Sequence, residues 1–471
     1  MVVSGDTPPP RDRRRSKHPS SRPDRAAEPP APGLAVRMAA ARLLAAVVDA
    51  KTPLDGLTDQ EHGHPQFKAL DVRDRALVRA ILVTALRHRR TIEKLIADRL
   101  HSPLPGNATT LSHILHVGAA QILFLDVPDS AAVDLAVTHA KGDPRTQRFA
   151  SLVNAVLRGL ARDKAADLPK ALATVTDAPD WFVERLNAAY SREAAAKILA
   201  AHRLESPTDF TVKAEPERWA DAFDGIVLPT GSVRVGRLPA PVPDLPGFEE
   251  GAWWVQDAAA ALPARLFGDV RGLRIADLCA APGGKTAQLA LAGAAVTAVD
   301  SSRSRLARLK ANLDRLGLDA GIVQADVLDW QAEEPFDAIL LDAPCSSTGT
   351  VRRHPDVPWT KSPADIEKLA TLQRRLLERA VHLVKPGGTI VFSNCSLDPL
   401  EGEEMIRRFL ADNPGIATDP LLPGEVAGID AFLTPEGWLR TTPADMALAD
   451  PALSGMDGFF AARLRRRQDQ A

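Results

Sequence analysis

From Leu34 onward the apolar positions follow two different rhythms. In "GLAVRMAAARLLAAVVDA" they recur every three or four residues, with no glycine or proline inside the run, which predicts a helix. Similar runs occupy 71–87, 89–100, 109–125, 130–140 and 145–162, separated by short breaks that contain proline or glycine. No strand-like alternation intrudes and no fixed-period repeat is present, so residues 34–163 are expected to form an all-helical domain. Residues 164–247 are mixed. "DWFVERLNAAY" and "SREAAAKILAAHRLESP" have helical spacing, "DFTVKA" alternates like a strand, and the proline-dense stretch 229–246 reads as loop. From 248 the rhythm changes again. Strand-length apolar runs at 273–278, 294–299, 321–325, 337–341 and 388–393 are interleaved with helical runs at 285–292, 303–316 and 363–384. That alternation predicts a doubly wound parallel sheet, a Rossmann-like α/β domain over residues 248–465.

Composition narrows the setting. A chain of 471 residues with 45 % hydrophobic and 25 % charged residues is sized for two or three globular domains. The formal net charge of −2 gives no overall field toward a polyanion, although basic patches can coexist with it. Three cysteines, Cys279, Cys345 and Cys395, cannot make a disulfide framework, which points to a reducing, cytoplasmic setting. No apolar run reaches membrane-spanning length, and "SGDTPPPRDRRRSKHPSSRPDR" lacks the apolar core of a signal peptide. Residues 1–33 read as a disordered, net-basic tail. Neither a membrane nor a metal is an expected partner, and a monomer is expected.

The chemistry concentrates after residue 273. In "LRIADLCAAPGGKTAQLALAG" a strand runs into a small-residue turn, Ala280 to Gly284, and then into a helix. Glycine there lets a ligand approach the backbone, and a helix N-terminus favours carboxylate or phosphate. The turn is neither a P-loop nor a clean GxGxxG, and alone it could be a tight connection. Asp300 and Asp326 end the next two strands, where they could meet ribose hydroxyls and an adenine edge. The three strand ends together predict a nucleotide-type cofactor, with a dinucleotide left open. Asp342, Cys345 and Cys395 follow the fourth and fifth strands, on the same rim. A thiolate beside a methyl donor suits a pyrimidine, because addition at carbon 6 makes carbon 5 nucleophilic. Asp342 could hydrogen-bond or protonate the ring-nitrogen side of the base. Either cysteine could instead be a small buried apolar residue, and chemistry alone does not choose between the two as nucleophile.

The motifs "CAAPGGKT", "DAPCSSTGTVRRHPD" and "SNCSLDPLEGEE" resemble the signatures of the Sun/Fmu-type RNA cytosine-5 methyltransferases. "QILFLDVPDSAAVDLAVTHAK" and "RFASLVNAVLRGL" are similar to two helices of the antitermination factor NusB, and "GAWWVQDAAAALPARLF" resembles the segment leading into the family's catalytic domain. The resemblance covers roughly residues 34–465 and is greatest to the branch acting on small-subunit (16S) ribosomal RNA. It implies that Cys279, Ala280, Ala281, Pro282, Gly283, Gly284 and Lys285 line S-adenosylmethionine, with Asp300 on the ribose and Asp326 near the adenine. Asp342 would lie between cofactor and target base, Cys395 would attack, and Cys345 would assist release. Asn394 stands where the family carries threonine. Arg352, Arg353 and His354 are expected to contact phosphate and stack on RNA, while Trp253 and Trp254 are expected in the core. The NusB-like module, with the basic residues of "DPRTQRFASLVNAVLRGLAR", is expected to supply RNA affinity. The alternatives are the same chemistry on transfer RNA, or a non-catalytic RNA-binding assembly factor.

Overall fold

In the computed structural model the structure describes residues 31–468, with residues 1, 2 and 5 in isolation. Most of the segment read as a basic tail, 1–33, lies outside the described residues. The helical part comprises α1 (Leu34–Val48), α2 (Val72–Arg87), α3 (Arg89–Ala97), α4 (Thr109–Phe124), α5 (Asp129–Gly142) and α6 (Ala150–Thr174). Asp71 caps α2 by accepting from the Asp74 amide at 2.7 Å. Helix α4 is buried on almost every side, from Leu111 to Leu123, which makes it the axis of this part. Helix α6 runs on past residue 162 and carries Pro169 inside it.

Helices α7 (Asp180–Ala189) and α8 (Arg192–Ala201) lead into a small antiparallel sheet. Its strands are β1 (Thr208–Val212), β2 (Ile226–Val227), β3 (Val233–Val235) and β4 (Trp253–Val255), in the order β2-β3-β1-β4. Strand β3 lies inside the proline-dense stretch read as loop. Three residues are too few for an alternation signal, and pairing with β1 decides the conformation. Arg234 of β3 is fully buried and grips Asp209 through two bonds of 2.7 Å. It also donates to the Gly455 carbonyl at 2.6 Å, which fastens the small sheet to the C-terminal part.

The C-terminal part is a mixed sheet. Its parallel members are β5 (Arg274–Leu278), β6 (Ala295–Asp300), β7 (Gly321–Gln324), β8 (Phe336–Asp342) and β9 (Val384–Asn394). Helices α9 (Gly284–Leu291), α10 (Arg303–Leu316) and α11 (Pro363–Leu383) connect them, and α12 (Glu403–Asp412) follows β9. Helix α10 buries Leu306, Leu309, Leu313 and Leu316 at the spacing its sequence shows. The expected parallel strands are joined by β10 (Ile416–Thr418), β11 (Leu439–Thr441) and β12 (Phe459–Arg466), which pair antiparallel. The order is β10-β12-β9-β8-β5-β6-β7, with β11 also on β12. Strand β12 hides in "GFFAARLRRR" because its arginines mask a core strand. Arg463 is nonetheless buried, held by the Leu266 carbonyl at 2.9 Å and by Glu425. Among the described residues no helix is long and apolar enough to cross a membrane.

The helical part docks on the loop just after Cys345. Trp359 sits in the helical core, donating its indole N–H to the Leu86 carbonyl at 3.1 Å, with Arg89 over its ring at 5.5 Å. Asp356 accepts from the Leu54 amide at 3.0 Å, and Lys51 donates to the Trp359 carbonyl at 2.8 Å.

Candidate active site

Strand β5 ends at a buried acid, Asp277, and a turn that only small residues permit. Cys279 has φ +62° and Gly283 φ +100°. A Cβ on Gly283 would fall 2.7 Å from Leu309 Cγ, so α9 packs this close to α10 only through glycine. The Thr286 hydroxyl donates to Asp277 Oδ2 at 2.6 Å, while Oδ1 is buried without a partner. Burial pushes the Asp277 carboxyl up to about 7, with Asp342 and Asp300 adding to the shift.

A cavity of about 500 Å³ opens at the carboxyl ends of the parallel strands, within the usual range for ligand pockets. Ala280, Ala281, Pro282, Gly283, Gly284, Lys285, Asp342 and Cys395 all line it. Lys285 Nζ lies 2.8 Å from Asp342 Oδ2 and 4.9 Å from the centre of the Phe459 ring. The Ser393 hydroxyl donates to the other Asp342 oxygen at 2.9 Å, which fixes the carboxylate at the cavity wall.

The remaining expected residues stand outside these walls. The Cys279 thiol packs behind the turn, where burial and then Asp300, Asp342 and Asp277 push it up to about 12. Asp300 is buried and accepts from the amides of Ala281 at 3.3 Å and Ser302 at 2.8 Å, and from Arg305 at 2.9 Å. Asp326 is exposed and accepts from the Leu328 amide at 2.9 Å. Cys345 lies beside Cys395, with 3.4 Å between the sulfurs, and both are partly exposed.

The two thiols have different surroundings. Cys345 donates its S–H to the Cys395 sulfur, which pushes Cys345 up and holds Cys395 below the ordinary thiol value. Burial and the Asp342 and Asp457 carboxylates oppose that lowering of Cys395, and the hydrogen bond from Cys345 outweighs them. The Glu401 carboxylate disfavours a charged Cys345, whereas Arg353 lines the cavity with Cys395 and attracts its thiolate. Burial works against the Arg353 charge, but Asp457, paired with it through Nε at 3.0 Å, more than offsets this.

Sequence reasoning missed three of these groups. Glu401 is fully buried and accepts from the Ser346 amide at 2.9 Å, Gln373 at 2.9 Å and the Ser396 hydroxyl at 2.6 Å. It thereby ties together the loops that follow both cysteines. Asp277 signals itself only as an acid inside an apolar strand, and Phe459 belongs to the strand that was not seen. Asn394 fits its place: its amide donates to the Glu401 carbonyl at 2.6 Å and its oxygen accepts from the Ser396 amide at 3.0 Å.

Of the arginine loop, Arg353 is exposed and lines the cavity, but the RNA-contacting role expected of Arg352 is corrected. Arg352 is only 2 % exposed, bound to the Ser454 carbonyl at 3.0 Å and the Ser206 hydroxyl at 2.9 Å. His354 lies 3.3 Å from Asp55, and Trp359 is in the helical core. The loop is interdomain mortar, because its acidic partners Asp55 and Asp457 lie far away in sequence. Trp253 and Trp254 are buried, as expected.

A buried carboxyl with one unpartnered oxygen, and a cavity lined by the small-residue turn and by Asp342, fit the methionine half of S-adenosylmethionine. Fold and site together define an S-adenosylmethionine-dependent methyltransferase. Residues 269–465 match the family model "16S rRNA methyltransferase RsmB/F", and residues 34–162 match the NusB family model. Ribosomal RNA small subunit methyltransferase B of Shewanella oneidensis is 34 % identical over 408 residues, 83 % of this chain and 91 % of its own length. The protein of that name from Salmonella paratyphi B is 37 % identical over 372 residues, 75 % of this chain and 85 % of its own length. The crystal structure of PH0851 shares the fold, with a TM-score of 0.70 and 24 % identity over 93 % of this chain and 99 % of that one. The chain belongs to the RsmB/F methyltransferase family, with a NusB-type domain ahead of its catalytic domain.

Proposed function

We propose that this protein methylates carbon 5 of a cytosine in 16S ribosomal RNA, with Cys395 as the nucleophile and Cys345 as the thiol that assists release. In this reading residues 34–163 bind RNA, 164–247 link, and 248–465 catalyse, in a cytoplasmic monomer. The observation that carries it is the placement of Cys395 on the cavity wall with Asp342 and Arg353, with the Cys345 sulfur 3.4 Å away and off that wall.

S-adenosylmethionine, when bound, supplies an electrophilic methyl group. Ala280 to Lys285 and Asp277 would hold it, and Asp300 stiffens the turn that receives it through the Ala281 amide. Its ribose and adenine contacts with Asp300 and Asp326 belong to the proposal. The target cytosine leaves its stack to enter the cavity. The Cys395 thiolate adds to carbon 6 as Asp342 hydrogen-bonds the ring-nitrogen side, and the displaced electron pair makes carbon 5 nucleophilic. After carbon 5 has taken the methyl, its proton is removed, the pair re-forms the ring double bond and the Cys395–carbon bond breaks. Cys345, 3.4 Å from the leaving sulfur, is placed to assist that step.

The test separates the thiols. C395A should neither methylate nor form an RNA adduct, because nothing adds to carbon 6. C345A should accumulate an RNA-linked protein on denaturing gels, and only with S-adenosylmethionine present. An adduct in C395A but not in C345A would reverse the roles, and activity in both would end the thiol mechanism. Bisulfite mapping of ribosomal and transfer RNA from a deletion strain identifies the substrate.

A further inference from the structure

We propose that Cys345 and Cys395 are a peroxide-reactive dithiol that closes to a reversible disulfide and so switches the site off. Its silencing effect rests on Cys395 being the nucleophile; the modification itself rests on geometry alone.

Three observations carry it. First, the sulfurs are already in contact at 3.4 Å, so the bond, about 2.05 Å long, forms between neighbours. Second, the contact is enforced. The residue after each cysteine, Ser346 and Ser396, is tied to the same buried Glu401 carboxylate, and the Gly349 amide donates to the Cys395 carbonyl at 2.9 Å. The two thiols cannot drift apart without breaking that network. Third, the pair is reachable: both thiols are partly exposed, and Cys395 lines the cavity, so a molecule the size of hydrogen peroxide reaches it from solvent. The remaining cysteine, Cys279, is not a competitor, since its thiol is pushed up to about 12 and holds its proton.

The chemistry balances with one hydrogen peroxide. The Cys395 thiolate attacks an oxygen, the O–O bond breaks, and hydroxide leaves to become water, giving a sulfenic acid. Cys345 loses its proton and attacks that sulfur. The S–O bond breaks, the second oxygen leaves as water, and the disulfide forms. Two thiols have lost two electrons, and the peroxide has become two waters. With its sulfur bonded, Cys395 cannot add to carbon 6. The resolving thiol also protects the nucleophile from irreversible oxidation, which a lone thiolate at this wall would suffer.

The experiment exposes the full-length protein to a small molar excess of hydrogen peroxide. Peptides are then mapped without reduction, and methyl transfer is assayed in parallel. The Cys345 and Cys395 peptides should appear joined and lighter by two hydrogens. Methyl transfer should fall in proportion, and dithiothreitol should restore both. In C345S the same exposure should carry Cys395 to sulfinic acid, which dithiothreitol does not reverse. Free or sulfinic Cys395 in the wild type, with no joined peptide, would overturn the proposal while leaving the methylation reading intact. A joined peptide with undiminished methyl transfer would overturn both the switch and the nucleophile assignment.

Discussion

Replacing Trp359 with alanine should separate the helical domain from the catalytic loop. The side chain is 9 % exposed within the helical core, its indole N–H bonds the Leu86 carbonyl at 3.1 Å, and Arg89 lies over the ring. Truncating a buried tryptophan costs about 3–5 kcal/mol, a figure that already contains the lost hydrogen bond and cation–π contact. The docked state should thus lose roughly two to four orders of magnitude in its equilibrium. Its melting transition should fall by roughly 6–20 °C for a domain of this size. W359F, which keeps most of the packing and loses one hydrogen bond, should cost only about 1 kcal/mol. Hydrogen exchange is the decisive assay. In W359A, protection should drop in 351–360 and at the C-terminal end of α2, while α4 and the parallel strands keep theirs. Methyl transfer should fall too, because Arg353 hangs on the same loop. Unchanged exchange in 351–360 together with an unchanged melting transition would refute the docking argument.

Asp277 gives a pH-dependent prediction. Its carboxyl titrates at 3.8 in the unfolded chain and at about 7 in the fold. Below 3.8 both states hold the proton. Between the two values only the fold does, so wild-type stability falls as pH rises, and the loss is complete above about 7. D277N keeps an acceptor for Thr286 and should show a flatter stability profile over that interval, by the order of a few kcal/mol; parallel profiles would refute the assignment. In the helical domain, Arg148 and Arg158 are exposed and form no ion pair among the described residues. Reversing both to glutamate should weaken RNA binding and flatten its salt dependence by about one unit of slope per lost phosphate contact. Equal affinity and slope would remove this face from the RNA path.

The long helices and the strands β5 to β8 were legible because each buries a face whose period is written in its own residues. The Leu306, Leu309, Leu313 and Leu316 stripe needs no knowledge of anything else in the chain. The site motifs were legible for a similar reason: turn, acid and thiol each sit just after a strand. What stayed hidden depends on distant partners. Arg463 can occupy a core strand only because Glu425 meets it there, and Arg352 turns inward only because Ser206 and Ser454 receive it. Read alone, both look like solvent-facing cations. Glu401 was quoted within its motif, yet its role requires knowing that residues 346 and 396 converge.

The Trp359 anchor also sets a timetable. Its indole and the Leu86 carbonyl that receives it are 273 residues apart in the chain. At about 5–20 residues per second, a ribosome finishes Leu86 some 14–55 s before it reaches the tryptophan that will cover it. Through that interval the helical domain carries an unfilled apolar slot beside α2 and α3, a surface that a chaperone could hold and a neighbouring nascent chain could foul. The bond between the two halves of the enzyme is therefore also a signal of progress in translation: it can close once the strand leading to Cys345 is made, whereas Cys395 comes 36 residues after the tryptophan and Phe459, which finishes the cavity wall, 100 residues after it.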